Sequence, residues 1–125
     1  FVSTVYQNLF ERPADAAGLD YWAGQIEQGN ISKGGFFFEV LEGVKQGTRD
    51  EKVLLNKEAV AANFALTHGL NNPAWARAVV ADVNDTAASV AIARDMTNGF
   101  SMTAAAAATT ELVIKVLGIA SELTA

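Results

Sequence analysis

The chain has 125 residues, of which 50% are hydrophobic and 18% charged, so it can bury a core as one domain. Its formal net charge of −5 and its lack of a basic stripe argue against a nucleic-acid binder that neutralises phosphates. The absence of cysteine excludes disulfides, thiol chemistry and the usual structural zinc sites, and no apolar run approaches the roughly 20 residues of a transmembrane helix.

The first part of the chain is expected to form three helices. The first covers residues 1–10, because apolar residues recur there at helical spacing, and Pro13 prevents it from continuing. The second starts after Asp15 and the third after Ser32, since both side chains can accept hydrogen bonds from free backbone N–H groups. The third helix is expected to run to about residue 46.

The middle of the chain predicts the longest helix, which Thr48 and Glu51 open as a capping box. This helix continues to about His68 and is apolar on two sides, which is typical of a central helix. Asn72, followed by proline, then starts a short helix. We therefore expect an all-α fold, a compact bundle of about six or seven helices around the helix near residues 48–68.

Two further helices are expected at the end of the chain. One covers residues 86–97, is capped by Asn84 or Asp85, and ends at Asn98-Gly99; the last begins at Ser101. The apolar face of the last helix favours packing within the domain, and half of a subunit contact fits the same pattern. That face comprises Leu112, Val113, Val116, Leu117, Ile119, Ala120 and Leu123. All helices are assigned to a single domain over residues 1–125.

Residues 6–22 read YQNLFERPADAAGLDYW, with an aromatic residue, a leucine, Arg-Pro-x-Asp and Gly-Leu-x-Tyr-Trp in order. This stretch resembles the signature of the bacterial domain-of-unknown-function family 4214. The resemblance reaches about residue 66, through Leu55-Asn56-Lys57 and Ala61-Ala62-Asn63-Phe64, and is weaker from Asn72 onward. Glu11 stands where the family usually has glycine. Members occur in surface-layer proteins, repeat toxins and adhesins, often exported by type I secretion, and their pattern is related to phycobilisome linker domains.

The resemblance implies a helical attachment or assembly module, outside the cell or at its surface, and no established reaction. Because position 1 is phenylalanine, we expect the chain to be a fragment of a larger protein. The expected partners are protein subunits, neighbouring domains of the same protein or a cell-surface polysaccharide, and a homo-oligomer is compatible with the sequence. The alternative function is a carbohydrate-binding module with an aromatic platform near Tyr21 and Trp22.

Four residues are candidates for binding: Arg12, Asp15, Tyr21 and Phe38. Arg12 either locks its own turn by pairing with Asp15 or Asp20, or anchors a sugar or an acidic group. Tyr21 lies off the apolar stripe of its helix and is the ring expected to be exposed.

Phe36, Phe37 and Phe38 form a run of three aromatic residues. At helical spacing the first two fit the core face of their helix and Phe38 falls roughly opposite. Phe38 either makes a second contact inside the bundle or lies at an interface.

No catalytic or metal-binding pattern is complete. His68 is the only histidine, and no serine lies in a nucleophile-elbow pattern. Residues 82–86 begin like a calcium loop, but the positions that need glycine and glutamate are Ala87 and Ala93. Carboxylate pairs such as Glu39 and Glu42 are expected by chance among 14 acidic residues. We therefore expect no enzymatic activity, cofactor or metal.

Overall fold

The computed structural model describes residues 1–117, and every regular element within them is helical. A π-helical turn (Asn63–Thr67) extends the fourth of six helices. The helices are α1 (Val2–Phe10), α2 (Ala16–Glu27), α3 (Lys33–Glu42), α4 (Arg49–Ala62), α5 (Pro73–Ala81) and α6 (Ala87–Leu117). The predicted all-α fold is confirmed.

Four helices begin at the caps that the sequence predicts, because a cap needs only a side-chain oxygen two or three residues before a free N–H group. The acceptors and donors are Asp15 with Gly18 (2.6 Å), Ser32 with Gly35 (3.0 Å), Thr48 with Glu51 (3.3 Å), and Asn72 with Ala74 and Trp75 (2.9 and 3.1 Å).

Two predicted details of the caps are wrong. The carboxylate of Glu51 accepts from the backbone N–H of Gly47 at 3.2 Å, so the capping box closes one residue early. At the start of α6 the cap is Thr86, whose hydroxyl accepts from the backbone N–H of Ser89 at 3.2 Å. Asn84 instead accepts from the backbone N–H of Thr86 at 2.9 Å, in a turn that precedes the helix.

The third helix also ends earlier than predicted, at Glu42 instead of about residue 46. Gly43 is its C-cap, and the backbone N–H of Val44 bonds to the carbonyl of Leu41 at 3.3 Å. Glycine is a poor helix former, and Gly43 ends the helix four residues before Gly47.

Buried side chains form two clusters. The N-terminal cluster joins α1 and α3, and the C-terminal cluster joins the end of α4, its π-helical extension, α5 and α6. The N-terminal cluster comprises Val2, Val5, Phe10, Phe36 and Val40. The C-terminal cluster comprises Val60, Phe64, Val79, Val83 and Ala93.

Helix α4 connects the two clusters. Leu54 packs against the N-terminal cluster, whereas Val60 belongs to the C-terminal cluster. The helix contacts α1 on one side and α5 and α6 on the other, which confirms the predicted central position. Its last turn, Asn63–Thr67, is π-helical instead of α-helical, and His68 follows as the cap.

Helix α6 has 31 residues and is the longest of the described helices, where the sequence predicted two helices separated at Asn98-Gly99. Gly99 lies inside the helix and costs about 1 kcal/mol relative to alanine, which strong helix formers and packing on either side offset. Two turns around the expected break are held in place: the hydroxyl of Thr97 donates to the carbonyl of Ala93 at 3.0 Å, and Phe100 stacks on Trp75 at 4.7 Å.

Replacing Gly99 by alanine is expected to raise the free energy of unfolding by about 0.5–1 kcal/mol. A Cβ atom at this position meets nothing within 4 Å, and the backbone does not have the positive φ found at Gly47. Thermal or urea unfolding monitored by circular dichroism measures the change. A helix that ended at Gly99 in a left-handed conformation would be destabilised by the same substitution, so a loss of stability would contradict the continuous helix.

The far end of α6 lies outside both clusters. Leu112, Val113 and Val116 are 61%, 48% and 73% exposed, so the internal packing predicted for them is not found. Glu111 and Lys115 form the predicted pair one turn apart, at 2.8 Å. The side chain of Leu117, and Ile119, Ala120 and Leu123, lie outside the described residues.

Candidate functional site

The turn between α1 and α2 positions the signature residues. Helix α1 ends at Phe10, and Glu11 follows in the left-handed region with φ 51°, the only positive φ of a non-glycine residue among the described residues. Pro13 keeps the chain extended until Asp15 caps α2. The glycine that is usual at this position in the family that the stretch resembles fits the conformation that Glu11 adopts, because a left-handed backbone is unfavourable for residues with a Cβ atom.

Arg12 crosses from this turn to the start of α4. Its Nε and Nη2 atoms donate to the two carboxylate oxygens of Asp50 at 2.8 and 2.7 Å, a bidentate ion pair. The guanidinium carbon also lies 5.3 Å from the ring centre of Tyr6 and 5.6 Å from that of Phe10. The hydrogen bond to Asp50 raises the pKa of Arg12 above its ordinary value, so the side chain stays charged at physiological pH.

The predicted pairing of Arg12 with Asp15 or Asp20 is therefore wrong. Asp15 is engaged as the cap of α2, and Asp20 is exposed on that helix. Asp50 was missed because it lies 38 residues away along the chain. Its position in the first turn of a helix signals only a favourable interaction with the helix dipole.

Glu11 and Lys57 make a second link to α4. Lys57 Nζ lies 2.6 Å from Glu11 Oε1 and donates to the carbonyl of Val80 at 3.0 Å. Both charged side chains are mostly buried, at 17% and 13% exposure. The carboxylate that replaces the usual glycine thus has an interaction partner, which offsets the cost of the left-handed backbone.

Other side chains of α4 bind the end of α1 and the loop between α5 and α6. Arg49 donates to the carbonyl of Phe10 at 2.8 Å and lies 3.3 Å from Asp85, and Asn56 donates to the carbonyl of Asn84 at 2.8 Å. We call Arg49, Asp50, Asn56 and Lys57 the polar strip of α4. The strip joins the α1–α2 turn to the α5–α6 loop. Its partners include Asn84 and Asp85, two of the residues that resembled a calcium loop.

An open cleft of about 260 Å³ lies beside the Arg12–Asp50 pair, where α1, α2, α3 and the start of α4 meet. Tyr6 and Trp22 contribute aromatic surface, and Glu39 and Lys45 add one charge of each sign. Aromatic rings beside polar groups suit a ligand with both apolar and hydroxyl-bearing faces, such as a sugar ring, or an amphipathic side chain.

Tyr21 and Trp22 do not form one flat platform. Their rings meet edge to face at 5.0 Å with an interplanar angle of 72°. Tyr21 is 58% exposed, as predicted, whereas Trp22 packs edge to face on the buried ring of Phe36 at 5.2 Å. A ligand in the cleft can therefore reach Trp22, and Tyr21 faces solvent next to it.

The three consecutive phenylalanines have different environments. Phe36 is completely buried, Phe37 is 37% exposed and Phe38 is 66% exposed. The predicted core position of Phe37 is therefore wrong, and of the two alternatives for Phe38 the contact inside the bundle is not found. The rings of Phe37 and Phe38 meet edge to face at 6.2 Å and form an exposed aromatic pair, which we call the α3 patch.

His68 and the Glu39–Glu42 pair lie on different elements of the described chain. His68 caps the π-helical turn, and its backbone N–H bonds to the carbonyl of Asn63 at 3.1 Å. Glu39 and Glu42 are exposed on α3. Residues 1–117 contain no group of three or more histidine, cysteine or acidic side chains that could hold a metal ion. None of the helices in this range has the length and apolarity needed to cross a membrane.

Comparison with known families matches residues 1–47 to the model described as Domain of unknown function (DUF4214). We call residues 1–47 the DUF4214 segment, after the model that they match. It covers α1, α2 and α3 and includes every residue of the cleft lining except Thr48 and Asp50. The match ends before α4, so the resemblance expected out to about residue 66 extends beyond the matched residues. Neither a curated protein nor a solved structure matched the chain.

Within the DUF4214 segment the signature residues have separate roles. Arg12 and Asp15 are engaged in ion pairing and capping, and Trp22 supports Phe36. Tyr21 and Phe38 are the predicted site residues that remain available to a partner.

Proposed function

We propose that this chain is a non-enzymatic assembly or attachment module of an exported bacterial protein, acting outside the cell or at its surface. The observation that carries the proposal is the α3 patch. Phe37 and Phe38 expose two aromatic rings within the DUF4214 segment. Aromatic side chains are enriched at protein interfaces, where they provide large contact areas at a small cost in conformational entropy.

The environments of the other signature residues support this assignment. Arg12 and Asp15 already have protein partners, so their polar groups are occupied in the isolated chain. Phe38 has no comparable role in the fold, and burying a phenylalanine that is exposed gains about 1.5–3 kcal/mol. The proposed partner is a protein subunit or a neighbouring domain of the same protein.

Binding of the purified chain to isolated envelopes of the bacterium that makes it tests the proposal. Phe38→Ala is expected to weaken binding about 30-fold, the effect of losing roughly 2 kcal/mol at an aromatic anchor. Leu66→Ala is the matched control, because Leu66 is 83% exposed on the π-helical turn and outside the DUF4214 segment. Equal binding by Phe38→Ala and wild type would contradict a role for the α3 patch.

The alternative, a carbohydrate-binding module, is favoured by the open cleft and by the exposed ring of Tyr21 beside it. A sugar ring can stack on Trp22 while its hydroxyl groups meet Glu39 or Asp50 at the cleft wall. Protease treatment of the envelopes separates the two functions. Binding that survives the treatment and is lost in Tyr21→Ala supports the carbohydrate site, whereas binding that the treatment abolishes supports a protein partner.

A further inference from the structure

Helix α6 faces the bundle with one stripe of residues. Val90, Ala93, Thr97, Phe100 and Ala104 follow one another at intervals of three or four residues and are buried or half-buried. Ala93 is 2% exposed and Thr97 is completely buried. This stripe fixes the rotation of the helix about its axis, because a straight α-helix turns by about 100° per residue.

A second stripe on α6 lies about 120° around the helix from the first. We call it the outer seam of α6. All of its residues are exposed, and Met102, Leu112 and Val116 reach 73%, 61% and 73%. The intervals between its residues alternate between three and four, which is the heptad spacing of helices that pair along an apolar seam. The seam comprises Met102, Ala105, Thr109, Leu112 and Val116.

The continuity of the helix keeps the outer seam away from the bundle. A break at Asn98-Gly99 would have let the last segment turn its apolar face inward. Because residues 87–117 form one helix, rotating the seam inward would pull Ala93, Thr97 and Phe100 out of the C-terminal cluster and its surroundings. The seam therefore needs a covering surface outside the part of the chain that the structure describes.

The outer seam can be buried at little polar cost. Thr109 is its only polar residue, and the Thr109 hydroxyl already donates to the carbonyl of Ala105 at 2.9 Å. Burying this side chain leaves no donor without a partner. Ala105, one turn earlier, has a small side chain that allows another helix to approach closely.

We propose that a second copy of this chain packs on the outer seam and forms a dimer through paired α6 helices. The charges favour this occupant. Residues 86–117 carry two basic side chains (Arg94 and Lys115) and two acidic ones (Asp95 and Glu111), a net charge of zero in a chain of net charge −5. Two copies can approach at this neutral helix without the repulsion that their acidic remainder produces.

Self-pairing also agrees with the side chains that flank the seam. Charged residues beside a heptad seam restrict which helix can pair with it. The four flanking positions between Ala105 and Val116 are 106, 108, 113 and 115, and three of them are the uncharged Ala106, Ala108 and Val113. The remaining one, Lys115, is paired with Glu111 of its own helix. The proposed dimer contact is separate from the α3 patch and does not depend on the attachment function.

Sedimentation equilibrium of the 125-residue chain tests the dimer. We expect a monomer–dimer equilibrium with a dissociation constant below about 1 mM. The double variant Leu112→Glu, Val116→Glu is expected to raise this dissociation constant at least about tenfold. Leu66→Glu adds one negative charge, half of what the double variant adds, at a residue that is 83% exposed and outside the seam, and its dimerisation should equal that of wild type. Circular dichroism checks that all three proteins keep their helix content.

The lack of cysteine allows a second measurement. Ala105→Cys on the seam should cross-link to a second copy with a short bismaleimide, whereas Thr110→Cys on another face of α6 should dimerise without being cross-linked. A wild-type chain that is monomeric at all concentrations, or a double variant that dimerises as wild type does, would overturn the proposal. Either result leaves envelope binding through Phe38 to be judged by its own assay.

Discussion

Replacing Lys57 by alanine is expected to lower the free energy of unfolding by about 2–3 kcal/mol. The Lys57 ammonium contacts Glu11 at 2.6 Å and the carbonyl of Val80 at 3.0 Å. Its removal leaves a carboxylate that is only 17% exposed, together with a carbonyl oxygen, without their cation. The loss is large because Lys57 connects the α1–α2 turn to the end of α5, and it is measured by chemical unfolding.

Lys52→Ala is the matched control for this prediction. Lys52 lies on the same helix and is exposed, so its removal should change stability by no more than about 0.5 kcal/mol. The coupling between Lys57 and its partner is measured in a cycle with Glu11→Gly, because glycine accepts the φ of 51° without the penalty that alanine would add. We expect a coupling of about 1–2 kcal/mol. Equal effects of Lys57→Ala and Lys52→Ala would contradict the buried link.

Replacing Phe36 by alanine is expected to cost about 3–5 kcal/mol, the usual range for truncating a fully buried aromatic residue. Phe36 is completely buried and packs edge to face with Phe1 at 5.7 Å and with Trp22 at 5.2 Å. Its removal leaves a cavity in the N-terminal cluster and takes away the ring against which Trp22 packs. The stability loss should therefore be accompanied by a change in tryptophan fluorescence.

Phe37→Ala is the matched control for the Phe36 variant. Phe37 is the next residue along α3 but is 37% exposed, so we expect a loss of about 1 kcal/mol or less. The sequence alone assigned both rings to the core. Similar losses for the two variants would show that the orientation of α3 described above is incorrect.

Local features of the fold were predictable from the sequence. Asp15, Ser32, Thr48 and Asn72 cap helices because each acceptor lies two or three residues from its donor, and no distant residue is needed to complete the interaction. The α-helical class follows in the same way from residue spacing and composition. The exposure of Tyr21 was also correct, since its position relative to the apolar stripe is a property of one helix.

Interactions between distant segments were not predictable in this way. Arg12 was expected to pair within its own turn, but Asp50 offers two oxygens in a geometry that only the packing of α1 against α4 creates. The helix break at Gly99 was expected from propensity alone. Propensity contributes about 1 kcal/mol there, and packing of the flanking turns of α6 outweighs it.

The amino-acid sequence by itself determined that this protein is helical, acidic and free of cysteine, where most of its helices start, and that its first part has the DUF4214 pattern. These properties depend on residue type and on neighbours within about one helical turn. Only the tertiary structure decided that Arg12 pairs with Asp50, that Phe37 and Phe38 are exposed, and that the outer seam of α6 faces away from the bundle. Each of these depends on the rotation of one helix against another, which the burial of side chains from both segments sets together.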